Sequence, residues 1–219
     1  MEPQIQYEPQ RLFSVRGRDE SQKPRRAGLS HRCDMRVGFQ PDANTKGAHN
    51  MTRRIVTGNN DEGRSSVVSN GAAFEFGTLT EFWATESAPA SYGSDDEIAD
   101  RRVKLEPPAN GTIFRFFHAE PEDPSLSRDE REKRVAAGFA AIGAEHCRPN
   151  TTRDPRVHTT SSVDYIVLLK GEVTLLLDEG EVDLKPFDVV IQRGTNHAWI
   201  NKGTEVAELV GILVDAEKR

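Results

Sequence analysis

Between residues 158 and 214 the chain repeats one pattern: a short apolar or alternating run, then a Gly, Pro or Asp break. Runs at 163–169, 172–177, 181–184, 188–191 and 206–214 are separated by Lys170-Gly171, Asp178-Glu179-Gly180 and Lys185-Pro186. None has the length or the 3.6-residue apolar spacing of a helix, so each reads as a strand. Many short strands punctuated by turn residues pack as a sandwich or close as a barrel, which makes the fold class all-β. The run at 206–214 is apolar enough to be buried on both faces.

Strand side chains alternate between faces, so positions of equal parity share a side. His158, Thr160, Ser162 and Asp164 are expected on one face, with Val163, Tyr165 and Val167 on the other. Downstream, Gly194-Thr195-Asn196 forms a loop that delivers His197 into a further strand, with Trp199 and Asn201 on its face. Should the two strands meet across a barrel, two imidazoles and a carboxylate converge inside it. Two imidazoles plus a carboxylate with open positions is the ligand set of non-haem Fe(II), with zinc or manganese next. Thr160 offers only a weak neutral oxygen. The metal-free alternative has Asp164 orienting a histidine as general acid or base; a satisfied polar interior without chemistry is the third reading. Trp199 could floor a pocket for a planar substrate, and Arg193, beside Gly194, could meet an anionic group at its rim.

These residues resemble the cupin superfamily. Its first motif, G-x5-H-x-H-x3-4-E-x6-G, is matched by His158, Asp164 and Gly171, with Thr160 in place of the second histidine and Asp164 in place of the glutamate. Its second motif is matched by Gly194, His197 and Asn201 at the family spacing, within the run QRGTNHAW; Phe187 and Gln192 sit near the usual Gly and Pro. The resemblance covers roughly residues 111–216. It implies a double-stranded β-helix, the jelly-roll barrel, and a divalent metal on His158, Asp164 and His197, with Thr160, Trp199, Asn201 and Arg193 around the substrate. HTTSSVDY together with QRGTNHAW is similar to single-domain cupins described as oxidoreductases of fungal polyketide clusters. That likeness implies a small aromatic or pre-aromatic polyketide undergoing oxidation, dehydration or tautomerisation. A metal-free isomerase, dehydratase or decarboxylase and a non-catalytic binding module are the alternatives. No nucleotide cofactor is expected.

Around the core the signals differ. Residues 1–50 carry nine Lys/Arg against six Asp/Glu, with few and unpatterned apolar residues, and read as a disordered tail or an over-extended start before Met51. Residues 51–110 read as N-terminal strands and a wrapping arm, and 111–219 as the barrel. Ser127-Arg128-Asp129-Glu130 has the form of a capping box, opening an amphipathic helix to about Ala144 with Phe139 toward the barrel. His118 reads as a strand-end surface residue. His146 and Cys147 follow the helix without a second cysteine nearby to make a metal site. The net charge of −6, both signs interspersed, gives no electrostatic case for nucleic acid or anionic membrane. Two cysteines make no disulfide framework, and no apolar run approaches the ~20 residues of a membrane span. A cytoplasmic protein acting on a small molecule is expected, with a homodimer through edge strands compatible with the fold.

Overall fold

A computed structural model of the chain describes residues 52–92 and 102–218. The expectation for residues 1–50 lies outside the described residues. Strand β1 (Arg53–Asn59) and strand β2 (Ser65–Ala72) form a hairpin of their own, closed by the turn-rich segment expected between them. Next come β3 (Phe74–Phe76), β4 (Leu79–Thr85) and, after residues 102–111, which are irregular, β5 (Thr112–Ala119). Helix α1 (Arg128–Ala141) follows, and then the remaining strands: β6 (Ser162–Lys170), β7 (Val173–Leu177), β8 (Glu181–Leu184), β9 (Val189–Arg193), β10 (His197–Ile200) and β11 (Ala207–Asp215).

The strands pair as a six-stranded sheet in the order β3-β4-β5-β11-β6-β9 and a three-stranded sheet in the order β10-β7-β8. Ile166 and Leu168 of β6, Leu209 of β11 and Ala119 of β5 pack with Val173, Leu175 and Leu184 of the smaller sheet. The core therefore lies between two antiparallel sheets whose inner faces are apolar, the arrangement that alternation forces on one-sided strands. The larger sheet begins upstream of residue 111: β4 pairs with β5, and Thr80 and Glu81 of β4 are buried.

The chain passes from β6 in one sheet to β7 in the other at Gly171. That glycine has φ 82°, and a β-carbon on it would sit 2.9 Å from Ala207 Cα. Close approach and the left-handed backbone both demand glycine here. Helix α1 starts as its sequence predicts: the Ser127 hydroxyl accepts from the Glu130 N–H while the Glu130 carboxylate takes the Ser127 N–H. The helix contributes no fully buried residue. Its contribution is a wall, with Val135 and Phe139, and Ile142 just beyond, facing the cavity described next.

Candidate functional site

His158 and His197 lie directly opposite one another on adjacent antiparallel chains. Each backbone N–H donates to the other's carbonyl, at 3.0 Å from His158 and 2.9 Å from His197. Directly opposed residues of an antiparallel pair project to the same side, and the ring centroids are 4.3 Å apart. Each ring is also fixed locally. His158 Nδ1 lies 2.8 Å from the Arg156 carbonyl and His197 Nδ1 lies 2.9 Å from the Thr195 carbonyl. A carbonyl only accepts, so both Nδ1 atoms carry the proton and both Nε2 atoms are left as acceptors. Gln192, buried, donates to the same Thr195 carbonyl at 2.9 Å and steadies the loop before His197.

Both histidines and Asp164 line one cavity of about 660 Å³ between the sheets and α1. Phe117, Trp199 and Phe139 give it aromatic walls, with Trp199 at 5.5 Å from the His197 ring and Phe139 edge-on at 5.2 Å from the His158 ring. Burial disfavours the imidazolium and lowers both histidine pKa values, that of His197 to about 3 with His158 adding to the effect. Asp164 moves the other way. Its desolvated carboxyl is raised to about 6, although the Ser162 hydroxyl, the Arg115 guanidinium and Thr160 all favour its ionised form. Ser162 Oγ lies 2.6 Å from Asp164 Oδ1 and 2.8 Å from Thr160 Oγ1.

The three expected metal ligands share the cavity without closing on one point. Among the described residues, the His, Cys, Asp and Glu side chains whose ligand atoms all lie within 4.8 Å of one another are Glu106, His146 and Cys147; His158, Asp164 and His197 do not form such a group. The expected convergence treated 158–164 as one straight strand. In the structure His158 bridges to β10 at the edge of the small sheet, residues 159–161 make the crossing, and Asp164 enters on β6 of the large sheet. Parity carries over, but the two ends of the segment belong to different walls. The two imidazoles, Nδ1 on backbone carbonyls and Nε2 free, are prepared as metal ligands are. The carboxylate does not complete the set that Fe(II), zinc or manganese would take here.

Two other expected residues stand elsewhere. Asn201 is fully buried, and its amide is spent on structure: Nδ2 donates to the Ala119 and Glu205 carbonyls, each at 2.7 Å, and Oδ1 accepts from Gly203 N–H at 2.9 Å. Arg193 is exposed and outside the cavity lining, because it pairs with Val163, whose parity is opposite to that of Asp164. Thr160 and Trp199 do line the cavity, and so does His118, expected at the surface. Tyr165 faces outward at 47% exposure, as its parity requires.

Sequence reasoning missed Arg115. It is 2% exposed on β5, pairs with Glu81 of β4 at 2.9 Å, donates to the Lys104 carbonyl and lines the cavity near Asp164. Its signal was present as a lone arginine interrupting the aromatic strand TIFRFFH, since a buried arginine needs a carboxylate partner.

Part of the chain is similar to known proteins. Residues 144–214 match the family model described as "Cupin domain". Among curated proteins, the chain is 46% identical over 63 residues to "Phomopsin biosynthesis cluster protein C'" of Diaporthe leptostromiformis, covering 28% of this chain and 33% of that protein. It is 36% identical over 63 residues to "Cupin-domain-containing oxidoreductase fogC" of Aspergillus ruber, covering 27% and 31%. The matched stretch thus spans about a third of the length of these relatives. Among solved structures, a Cupin 2 conserved barrel domain protein from Salinispora arenicola is 12% identical, covering 55% of this chain and 71% of that one with a TM-score of 0.30. The double-sheet barrel, the Gly194, His197 and Asn201 spacing and the family match over residues 144–214 together identify a cupin domain in this chain.

Proposed function

We propose that the chain is a cupin enzyme of secondary metabolism that moves a proton on a small, largely apolar molecule bearing hydroxyl or enol groups, such as an aromatic or pre-aromatic polyketide. One observation supports this above the others: two neutral imidazoles offer Nε2 acceptors to the same cavity that holds a carboxyl raised to about 6. A histidine lowered as far as His197 is a weak base, so its role is to accept a hydrogen bond from a substrate O–H. Asp164 is the group tuned near neutral pH, where an acid or base transfers protons best. In a keto–enol exchange the carboxylate removes a proton from carbon beside a carbonyl, and the carboxylic acid so formed returns it to the other site. Atoms balance and Asp164 ends as it began. The aromatic walls set the ring plane.

The test is solvent-deuterium exchange into cyclic 1,3-diketones and hydroxylated aromatics added to the purified protein. Asp164→Asn is expected to lower exchange by roughly 100-fold or more, the usual scale of a lost general acid–base. His197→Gln should chiefly raise KM. Exchange by the Asp164→Asn variant at the rate of the parent protein would refute the assignment. A second reading, a metal-dependent oxidoreductase, draws on the printed description of relatives such as the Aspergillus ruber protein and on the two free Nε2 atoms. It calls for stoichiometric metal that is lost in a His158→Gln, His197→Gln double variant.

A further inference from the structure

We infer that Glu106, His146 and Cys147 form a second site, outside the barrel cavity, for a borderline-soft divalent cation of the zinc class. Two stretches of chain bring the ligands together. Glu106 comes from the irregular segment before β5, and His146 and Cys147 from the 3-10 turn Glu145–Cys147 after α1. His146 Nε2 lies 2.8 Å from Glu106 Oε2 and 3.4 Å from Cys147 Sγ, and ligand atoms of all three fall within 4.8 Å of one another. Around a tetrahedral ion with bonds of about 2.0–2.3 Å, ligand atoms sit roughly 3.3–3.6 Å apart. The nitrogen–sulfur edge has that length already. The nitrogen–oxygen edge is a hydrogen bond that opens by about half an ångström when an ion replaces the shared proton. Thiolate, imidazole and carboxylate in one set select zinc over magnesium or calcium.

The site has an entrance and a support. Cys147 is 2% exposed, whereas the His146 side chain is 65% exposed and that of Glu106 26%, so the ion reaches a buried sulfur from the solvent side. Glu106 Oε1 accepts the Ser161 N–H at 2.8 Å, and the Cys147 carbonyl accepts the Thr159 N–H at 2.8 Å. Both anchors grip the crossing segment 159–161 that separates His158 from Asp164. A bound ion would therefore clip the arm, the 3-10 turn and this crossing together, and fix the spacing of the cavity's two walls. Coordination releases the thiol proton to solvent, so binding strengthens as pH rises.

Cobalt(II) titration of the full chain tests this directly. One equivalent per chain is expected to produce a thiolate-to-cobalt charge-transfer band in the near-ultraviolet, displaced by zinc. His146→Ala, at an exposed position that should leave the fold intact, is expected to weaken binding by more than about tenfold. Cys147→Ser should abolish the band, while Cys33→Ser and the His158→Gln, His197→Gln double variant should retain it. Absence of the band, or a band that survives Cys147→Ser, would overturn the assignment and leave the cavity proposal standing.

Discussion

Phe187 occupies a backbone position that phenylalanine disfavours. Its φ is 75° and it is 78% exposed, in the turn Lys185 to Asp188 where the family pattern has a nearby glycine. Left-handed backbone costs a non-glycine residue on the order of 1–3 kcal/mol, part of which glycine gives back as unfolded-state entropy. Phe187→Gly is therefore expected to stabilise the chain by about 1 kcal/mol, read as a thermal midpoint roughly 2–4 °C higher. An unchanged or lower midpoint would mean that the exposed ring makes contacts worth keeping. The same residue-scale logic explains Asn201. Its family spacing was legible, but a fully buried amide with three backbone partners is consumed by the fold and has nothing left for a ligand.

At the scale of elements, α1 is attached chiefly as a cavity wall. It contributes no fully buried residue, and Phe139 is only half-buried, with the Arg148 guanidinium 5.4 Å from its ring. Phe139→Ala should leave thermal stability nearly unchanged while weakening binding of an aromatic fluorescent probe about fivefold, the equivalent of roughly 1 kcal/mol. A large drop in melting temperature with unaltered probe affinity would assign the ring to the fold instead. Most of the strands were legible, because β6, β7 and β11 carry their periodicity in the sequence itself. So was the helix start, through Ser127 and Glu130. The sheet change at residues 159–161 was not legible: no local signal says which neighbour a strand will pair with. That one unreadable crossing turned an expected ligand triad into two opposing walls. The β4–β5 pairing was hidden for the same reason, and with it the Arg115–Glu81 contact.

Over the whole molecule, the buried titratable groups make stability depend on pH with opposing signs. Folded His158 and His197 resist a proton that unfolded imidazoles accept below about pH 6.5. Their contribution is complete above that pH and drains as pH falls. Asp164, raised to about 6, holds a proton that the unfolded carboxyl has released down to about pH 4, so it adds stability as pH falls through 6. Urea unfolding between pH 7 and 5 should show the parent protein losing stability toward acid. The His158→Gln, His197→Gln double variant should be flat or gain stability over the same range. A double variant with the parent's slope would mean that the acid sensitivity arises elsewhere. Among the described residues no helix is long and apolar enough to cross a membrane.

Nitrogen-15 NMR of histidine-labelled protein across pH 8 to about 4 probes the imidazole pair without needing the substrate. His197, assigned with His158 through the single glutamine variants, should stay neutral with the proton on Nδ1 to below about pH 5, where an ordinary imidazole has long been charged, and His158 should take up its proton at a lower pH than an ordinary imidazole. An imidazole of this pair that titrates near 6.5, or that carries its proton on Nε2, would contradict the account, because the cavity would then lack the paired acceptors on which the proposed chemistry rests.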